Sequence, residues 1–149
     1  MSRSGYTDGY CEDQWAMICW RGAVKSAMRG RRGQALLREM AAALDAMPIK
    51  RLIAHEIVGD GGVCALGAVA VQRGLDVSDV EPEDREAVAD LFGIAEALAA
   101  EIAYENDECG RRRYVPAPDP NGRRKICIEE TPEERWSRMR AWVRAALGD

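Results

Sequence analysis

Residues 131–147 read TPEERWSRMRAWVRAAL and carry the strongest helix signal in the chain. Thr131 is an N-cap residue, Pro132 takes the first helical position, and Glu134 falls three residues past the cap. A hydroxyl that accepts from a free backbone N–H, a ring with φ preset, and a carboxylate able to reach back together form a capping box. Trp136, Met139, Val143, Ala146 and Leu147 recur at helical spacing behind it, which predicts a buried stripe. The chain closes on a helix.

Immediately upstream, over 108–130, the periodicity vanishes. Arg111-Arg112-Arg113-Tyr114-Val115 and Arg123-Arg124-Lys125-Ile126-Cys127-Ile128 flank a tip of Pro-Ala-Pro-Asp-Pro-Asn-Gly. Two short strand candidates around turn residues predict a projecting basic hairpin over about 109–128. A tip centred near Pro118 would set Cys109 opposite Cys127.

Earlier segments return to helical spacing. A first helix over about 11–29 carries two apolar strips. One holds Trp15, Ile18, Cys19, Gly22, Ala23, Ser26 and Ala27, and the other Met17, Trp20, Val24 and Met28. Two strips predict a helix packed on more than one side, hence a central one. A narrow ridge of Arg21, Lys25 and Arg29 remains between them, and Gly30-Arg31-Arg32-Gly33 breaks the run. A second helix is expected over 34–47, ended by Pro48. Residues 51–58 fit either a strand or a helical turn. Gly59-Asp60-Gly61-Gly62 then turns the chain into a helix over 65–73, where Gly67 and Ala68 allow close packing. Pro82 is expected in the first turn of a following helix with Val88, Leu91 and Phe92 inward. Another helix, over 94–107, buries Ile94, Leu98 and Ile102. No repeat and no long linker divides the 149 residues. The expected architecture is mainly α, with about five to six helices and a small β-hairpin, in a single compact domain spanning 11–149 behind a loose tail at 1–10.

Composition narrows the function classes. No run approaches the roughly 18 apolar residues of a membrane span. The polar stretch from Met1 to Gln14 is unlike a signal peptide, so a cytoplasmic address without membrane contact is expected. The five cysteines (Cys11, Cys19, Cys64, Cys109 and Cys127) contain no C-x-x-C pair, and His55 is the one histidine. Free thiols are expected, and the standard zinc spacings are absent. His55-Glu56 lacks the second histidine of the helical zinc-hydrolase motif, and Gly59-Asp60-Gly61-Gly62 lacks the Lys-Ser/Thr of a phosphate loop. No catalytic set, cofactor site or metal site is predicted. Asn106-Asp107-Glu108 leaves one opening for a divalent ion, and with it a small metal-dependent hydrolase.

The net charge of −4 hides a segregation along the chain. Residues 21–51 carry +6, residues 56–108 carry −12 and residues 109–125 carry +5. Such blocks either attract partners of opposite sign or neutralise one another in the fold. Two basic candidates follow. The ridge of Arg21, Lys25, Arg29, Arg31 and Arg32 surrounds the free N–H groups at a helix start, which suits a phosphate or carboxylate. The hairpin cations Arg111, Arg112, Arg113, Arg123, Arg124 and Lys125, with Tyr114 as a stacking face, suit a nucleic-acid backbone or an acidic protein surface. Either set could instead pair with the acidic block. That block, from Asp76 to Glu108, is itself either an array imitating phosphates or an ordinary solvated face.

Several segments in a fixed order carry a resemblance. Arg21-Gly22-Ala23-Val24-Lys25-Ser26-Ala27 leads through Arg32-Gly33-Gln34-Ala35-Leu36-Leu37-Arg38-Glu39 to Ala43-Leu44-Asp45-Ala46-Met47-Pro48. Val63-Cys64-Ala65-Leu66-Gly67-Ala68, Asn106-Asp107-Glu108 and Glu130-Thr131-Pro132-Glu133-Glu134-Arg135-Trp136 follow. Together they resemble a group of small uncharacterised proteins encoded by bacteriophages and prophages of proteobacteria, over most of residues 11–147. The segment Cys109–Ile128 matches the group least. The resemblance implies a phage accessory protein inside a bacterial host and brings no catalytic residues. The expectation is a non-enzymatic protein that binds a host macromolecule, such as a component of antiviral defence. Nucleic-acid binding through 21–32 and 111–125 is the alternative.

Overall fold

The closing helix forms as its cap dictates. In the computed structural model, which describes residues 2–6 and 13–148, it runs Pro132–Leu147. Thr131 Oγ1 accepts from Glu134 N at 3.1 Å. The box is only half closed, because the Glu134 carboxylate turns outward to Arg113 at 3.0 Å. Met139 and Val143 are fully buried and Trp136 partly so. Thr131→Ala should lower stability by about 1 kcal/mol, read from urea denaturation, with the hydroxyl alone accounting for it. A Thr131→Ser variant at wild-type stability would support that assignment, and one as weak as alanine would refute it.

Six helices and two antiparallel two-stranded sheets make up the described residues. Numbered in chain order, the helices are α1 (Gln14–Arg29), α2 (Arg31–Ala46), α3 (Ala65–Arg73), α4 (Arg85–Phe92), α5 (Glu96–Asp107) and the closing α6. The sheets are β1 (Val58–Gly59) with β2 (Gly62–Val63), and β3 (Arg113–Pro116) with β4 (Lys125–Ile128). One core joins Leu36, Leu37, Met40 and Leu44 of α2 to Leu66 and Val69 of α3, Leu98 and Ile102 of α5, and Met139 and Val143 of α6. This is a single compact helical domain.

Small residues decide who sits in the middle. A Cβ on Gly67 would lie 2.1 Å from Ile57 O, so α3 presses directly on the chain ahead of β1. In α5, Ala97, Ala99, Ala100 and Ala103 are buried alongside Leu98 and Ile102, so it is covered on nearly every side. The expectation of a central first helix is therefore corrected: α5 is the central helix. In α1 only Val24 is buried, and Trp15 and Ile18 stand 71% and 63% exposed. Val24, Ala27 and Met28 pack on the domain, and the rest of the strip that starts at Trp15 faces outward.

Other boundaries move for local reasons. α2 starts at Arg31 rather than 34, and the Gln34 amide donates back to Met28 O at 2.7 Å. Pro82 lies ahead of α4, not in its first turn, because the Asp84 side chain caps the helix by accepting from Ala87 N. Gly74 and Gly93 end α3 and α4 in left-handed conformations, where a side chain would be strained.

The tail also departs from expectation. Ser2–Tyr6 are docked rather than loose, with Arg3 only 3% exposed. Its guanidinium donates to both oxygens of Asp107, at 2.7 and 2.6 Å. Tyr6 OH donates to Glu101 Oε2 at 2.7 Å, and its ring lies 4.8 Å from that of Tyr104. The rest of the expected tail, Met1 and residues 7–10, lies outside the described residues, as does Cys11. Cys19, Cys64, Cys109 and Cys127 are free thiols. Cys127 sits across from Tyr114, so the register does not bring Cys109 opposite it.

Candidate functional site

The hairpin is anchored by a buried carboxylate. Glu130 accepts from Arg138 at 2.6 and 3.0 Å and lies 3.4 Å from Arg135 Nε. Arg138 also donates to the carbonyls of Glu105 and Asn106, fastening the end of α5 to the start of α6. Gly110 passes so close that a Cβ there would meet Glu130 Oε2 at 2.7 Å. Both roots of the hairpin are therefore fixed on the helical body.

Beyond the roots, the Arg113–Glu134 pair is the one ion pair between the strands and the helical body among the described residues. Arg113 pairs with Ile128, Tyr114 with Cys127, Val115 with Ile126 and Pro116 with Lys125. Strand alternation sets Val115, Ile126 and Ile128 on one face with Arg113, and Tyr114, Cys127 and Lys125 on the other. Ile126 and Ile128 are 46% and 40% exposed, and Tyr114 is 65% exposed. Of the six hairpin cations, only Arg113 forms an ion pair among the described residues, with Glu134. The side-chain cations of Arg111, Arg112, Arg123, Arg124 and Lys125 have no hydrogen-bonded or ionic partner among the described residues. Neutralisation by the 56–108 block does not take place here.

It does take place at the ridge. Arg21 donates to both oxygens of Glu101, at 2.7 and 3.1 Å, and Glu101 is 4% exposed. That hydrogen bond raises the Arg21 pKa further. Arg32 reaches Gly93 O at 3.5 Å, while Lys25, Arg29 and Arg31 stay exposed and unpaired among the described residues. The five cations do not converge. Arg21 points to α5, and the others spread around the α1–α2 corner, where Gly30 supplies no side-chain cap.

The acidic block splits in two. Glu101, Glu105, Asp107 and Glu108 of the 101–108 stretch are committed to Arg21, Arg138, Arg3 and the Ser2 and Ser4 hydroxyls. Asp79, Glu81, Glu83, Glu86 and Asp90 face solvent without cationic partners among the described residues. Asp84 caps α4, and Asp76 is held by Ser78 at 2.6 Å.

One feature escaped sequence reasoning. Asp107 takes the two Arg3 bonds, the Asn106 side-chain amide at 2.8 Å and the His55 backbone N–H at 3.1 Å. His55 is the one described non-glycine residue with positive φ, at 71°, and its Nδ1 lies 3.9 Å from Asp107 Oδ2. Burial works to raise the Asp107 carboxyl, but Arg3, Asn106 and His55 together hold it below the ordinary carboxylate value. A polar cleft of about 610 Å³ opens beside it, lined by His55, Tyr104, Glu108, Arg112 and Glu129. The cleft runs into the hairpin root. A signal for it existed only in Asn106-Asp107-Glu108; Arg3 carries no pattern that points there.

The Asp107 oxygens are occupied, and among the described residues no three His, Cys, Asp or Glu side chains gather as metal ligands. The Cys109 thiol nearby is pushed up to about 12 by burial and by Glu105, which removes its nucleophilic thiolate at neutral pH. Among the described residues no helix is long and apolar enough to cross a membrane. Comparison with family models, with curated proteins and with solved structures finds no match to this chain.

Proposed function

We propose that the protein is a non-enzymatic binding protein and that its hairpin grips an acidic protein surface. One observation carries this reading: five of the six hairpin cations have no partner in the described chain, on a ribbon with both faces uncovered. Two strands alone are marginal in water, and clustered like charges make them worse. A partner that supplies carboxylates and covers Val115, Ile126 and Ile128 offsets both penalties. The aliphatic ladder favours a protein, since aliphatic side chains add little against a phosphate backbone. On the resemblance, the setting is a phage accessory protein in a bacterial cell, and the partner a host component such as one of antiviral defence.

Reversing Arg111, Arg112, Arg113, Arg123, Arg124 and Lys125 to Glu tests this reading. The melting temperature should change little, because only the exposed Arg113–Glu134 pair is lost. Affinity for a purified partner recovered from host lysate should fall by about 100-fold or more, since like charges across an interface cost several kcal/mol. Unchanged affinity would discard the hairpin as the contact.

Nucleic-acid binding is the second reading, favoured by Tyr114 and Lys125 on one face of a cationic ribbon narrow enough for a major groove. It requires wild-type affinity for duplex or single strands that falls steeply with salt and vanishes on the same reversal.

A further inference from the structure

The outward face of α1 has a shape that a second copy of the same chain fits. Trp15, Cys19, Gly22 and Ser26 follow a four–three–four spacing, the seam of a two-helix coiled coil, on the side away from Val24. Ile18 flanks the seam at 63% exposure, and Trp15 projects from it at 71%. Beside the other end of that face, at the α1–α2 corner, lies a groove of about 470 Å³ between Ala23 and Ser26 of α1, Arg31 and Gly33 of α2, and Ala95. Knob and groove are thus about eleven residues apart along one helix, or roughly 16 Å at the helical rise.

We propose that the protein forms a two-fold dimer through antiparallel pairing of α1, with each Trp15 seated in the other copy's groove. An isologous contact needs a patch that complements itself, and this one does. With the axis level with residues 20 and 21, Trp15 of one copy lies level with Ser26 of the other. Cys19 then lies level with Gly22. The large side chain meets small ones, and Gly22, which has nothing within 4 Å of its missing Cβ, lets the two backbones approach.

Charge selects the antiparallel sense. Asp13 sits at one end of α1, while Lys25 and Arg29 crowd the other and Arg31 and Arg32 follow. Parallel pairing would stack these cations on one another. Antiparallel pairing brings Asp13 of each copy to the Arg29 end of the other, opposes the two helix dipoles, and lays the Trp15 indole beside the Arg31 and Arg32 guanidiniums. The seam is separate from the hairpin, so dimerisation and partner capture are independent.

Sedimentation velocity across a concentration series tests the proposal. The wild type should show a monomer–dimer equilibrium that the hairpin charge reversal leaves unchanged. Gly22→Leu should abolish the dimer or weaken it at least tenfold, because leucine wedges the crossing point apart. The same substitution meets no neighbour within the monomer and improves helix propensity, so its helical circular dichroism and cooperative melt should be retained. Trp15→Ala should also shift the equilibrium to monomer. A wild type that stays monomeric up to high micromolar concentration overturns the proposal. So does a dimer whose dissociation constant is unmoved by both substitutions.

Discussion

Asp107→Ala should lower the unfolding free energy by about 3–5 kcal/mol, a large fraction of the stability of a domain this size. The magnitude comes from what is left behind. Arg3 and Asp107 side chains are each 2% exposed, so deleting the carboxylate strands a guanidinium away from water. The His55 N–H and one Asn106 amide hydrogen lose their acceptor as well. Asn106 is 1% exposed and also holds Ile53 O and Ala65 N, so the disturbance reaches the segment ahead of β1 and the start of α3. Asp107→Asn should cost less, because one carbonyl oxygen can still accept. Urea denaturation of the three proteins measures this order. A loss below about 1 kcal/mol for Asp107→Ala would mean that the Ser2–Tyr6 segment comes away without consequence.

The same carboxylate predicts the acid limb of stability. Its pKa is depressed in the folded state, so its contribution is complete above the ordinary unfolded value near about 3.9. The contribution fades as pH falls through the lower folded value. Wild type should therefore lose more stability than Asp107→Asn between mildly acidic pH and that lower value. Parallel pH curves for the two would assign the acid sensitivity elsewhere.

Legibility in the sequence followed the range of the interaction that fixes each feature. Thr131 and Pro132 start α6 within one turn, and Gly74 and Gly93 stop α3 and α4 by backbone conformation alone, so these ends could be read directly. The hairpin was readable because turn residues lie between two short β-prone runs. The Arg3–Asp107 pair spans 104 residues and belongs to a polar segment without period, so nothing local announces it. Two apolar strips on α1 were visible, but a pattern within one helix cannot say which strip the rest of the chain covers. Segregated charge had two meanings in the sequence, and the fold divides them: Arg21 is absorbed by Glu101, while the 111–125 cations, Arg113 excepted, are not absorbed. The cleft at His55 and Asp107 was missed because its walls come from four separate parts of the chain.

Trp136→Ala should cost about 3 kcal/mol, the low end for losing a large aromatic, because the ring is only partly buried. The indole has two jobs at the end of α2, and two substitutions separate them. Its Nε1–H donates at 3.1 Å to Leu44 O in the last turn of α2, the shortest of three donors to that carbonyl, beside the Met47 N–H and the Lys50 ammonium at 3.4 Å each. Its ring packs against the core beneath the Lys50 ammonium, 5.3 Å from the centroid, and the Arg140 guanidinium, at 5.8 Å. Trp136→Phe keeps most of the packing and removes the donor, so it should cost about 1 kcal/mol. The difference between the two variants is then the packing of the ring, about twice the hydrogen bond. A Trp136→Ala protein within about 1 kcal/mol of wild type would place the α2–α6 stability in Met139 and Val143 alone. Equal losses for Phe and Ala would instead make the Leu44 carbonyl the whole effect, and the aromatic stripe of the closing helix would serve as a cap on its neighbour rather than as core.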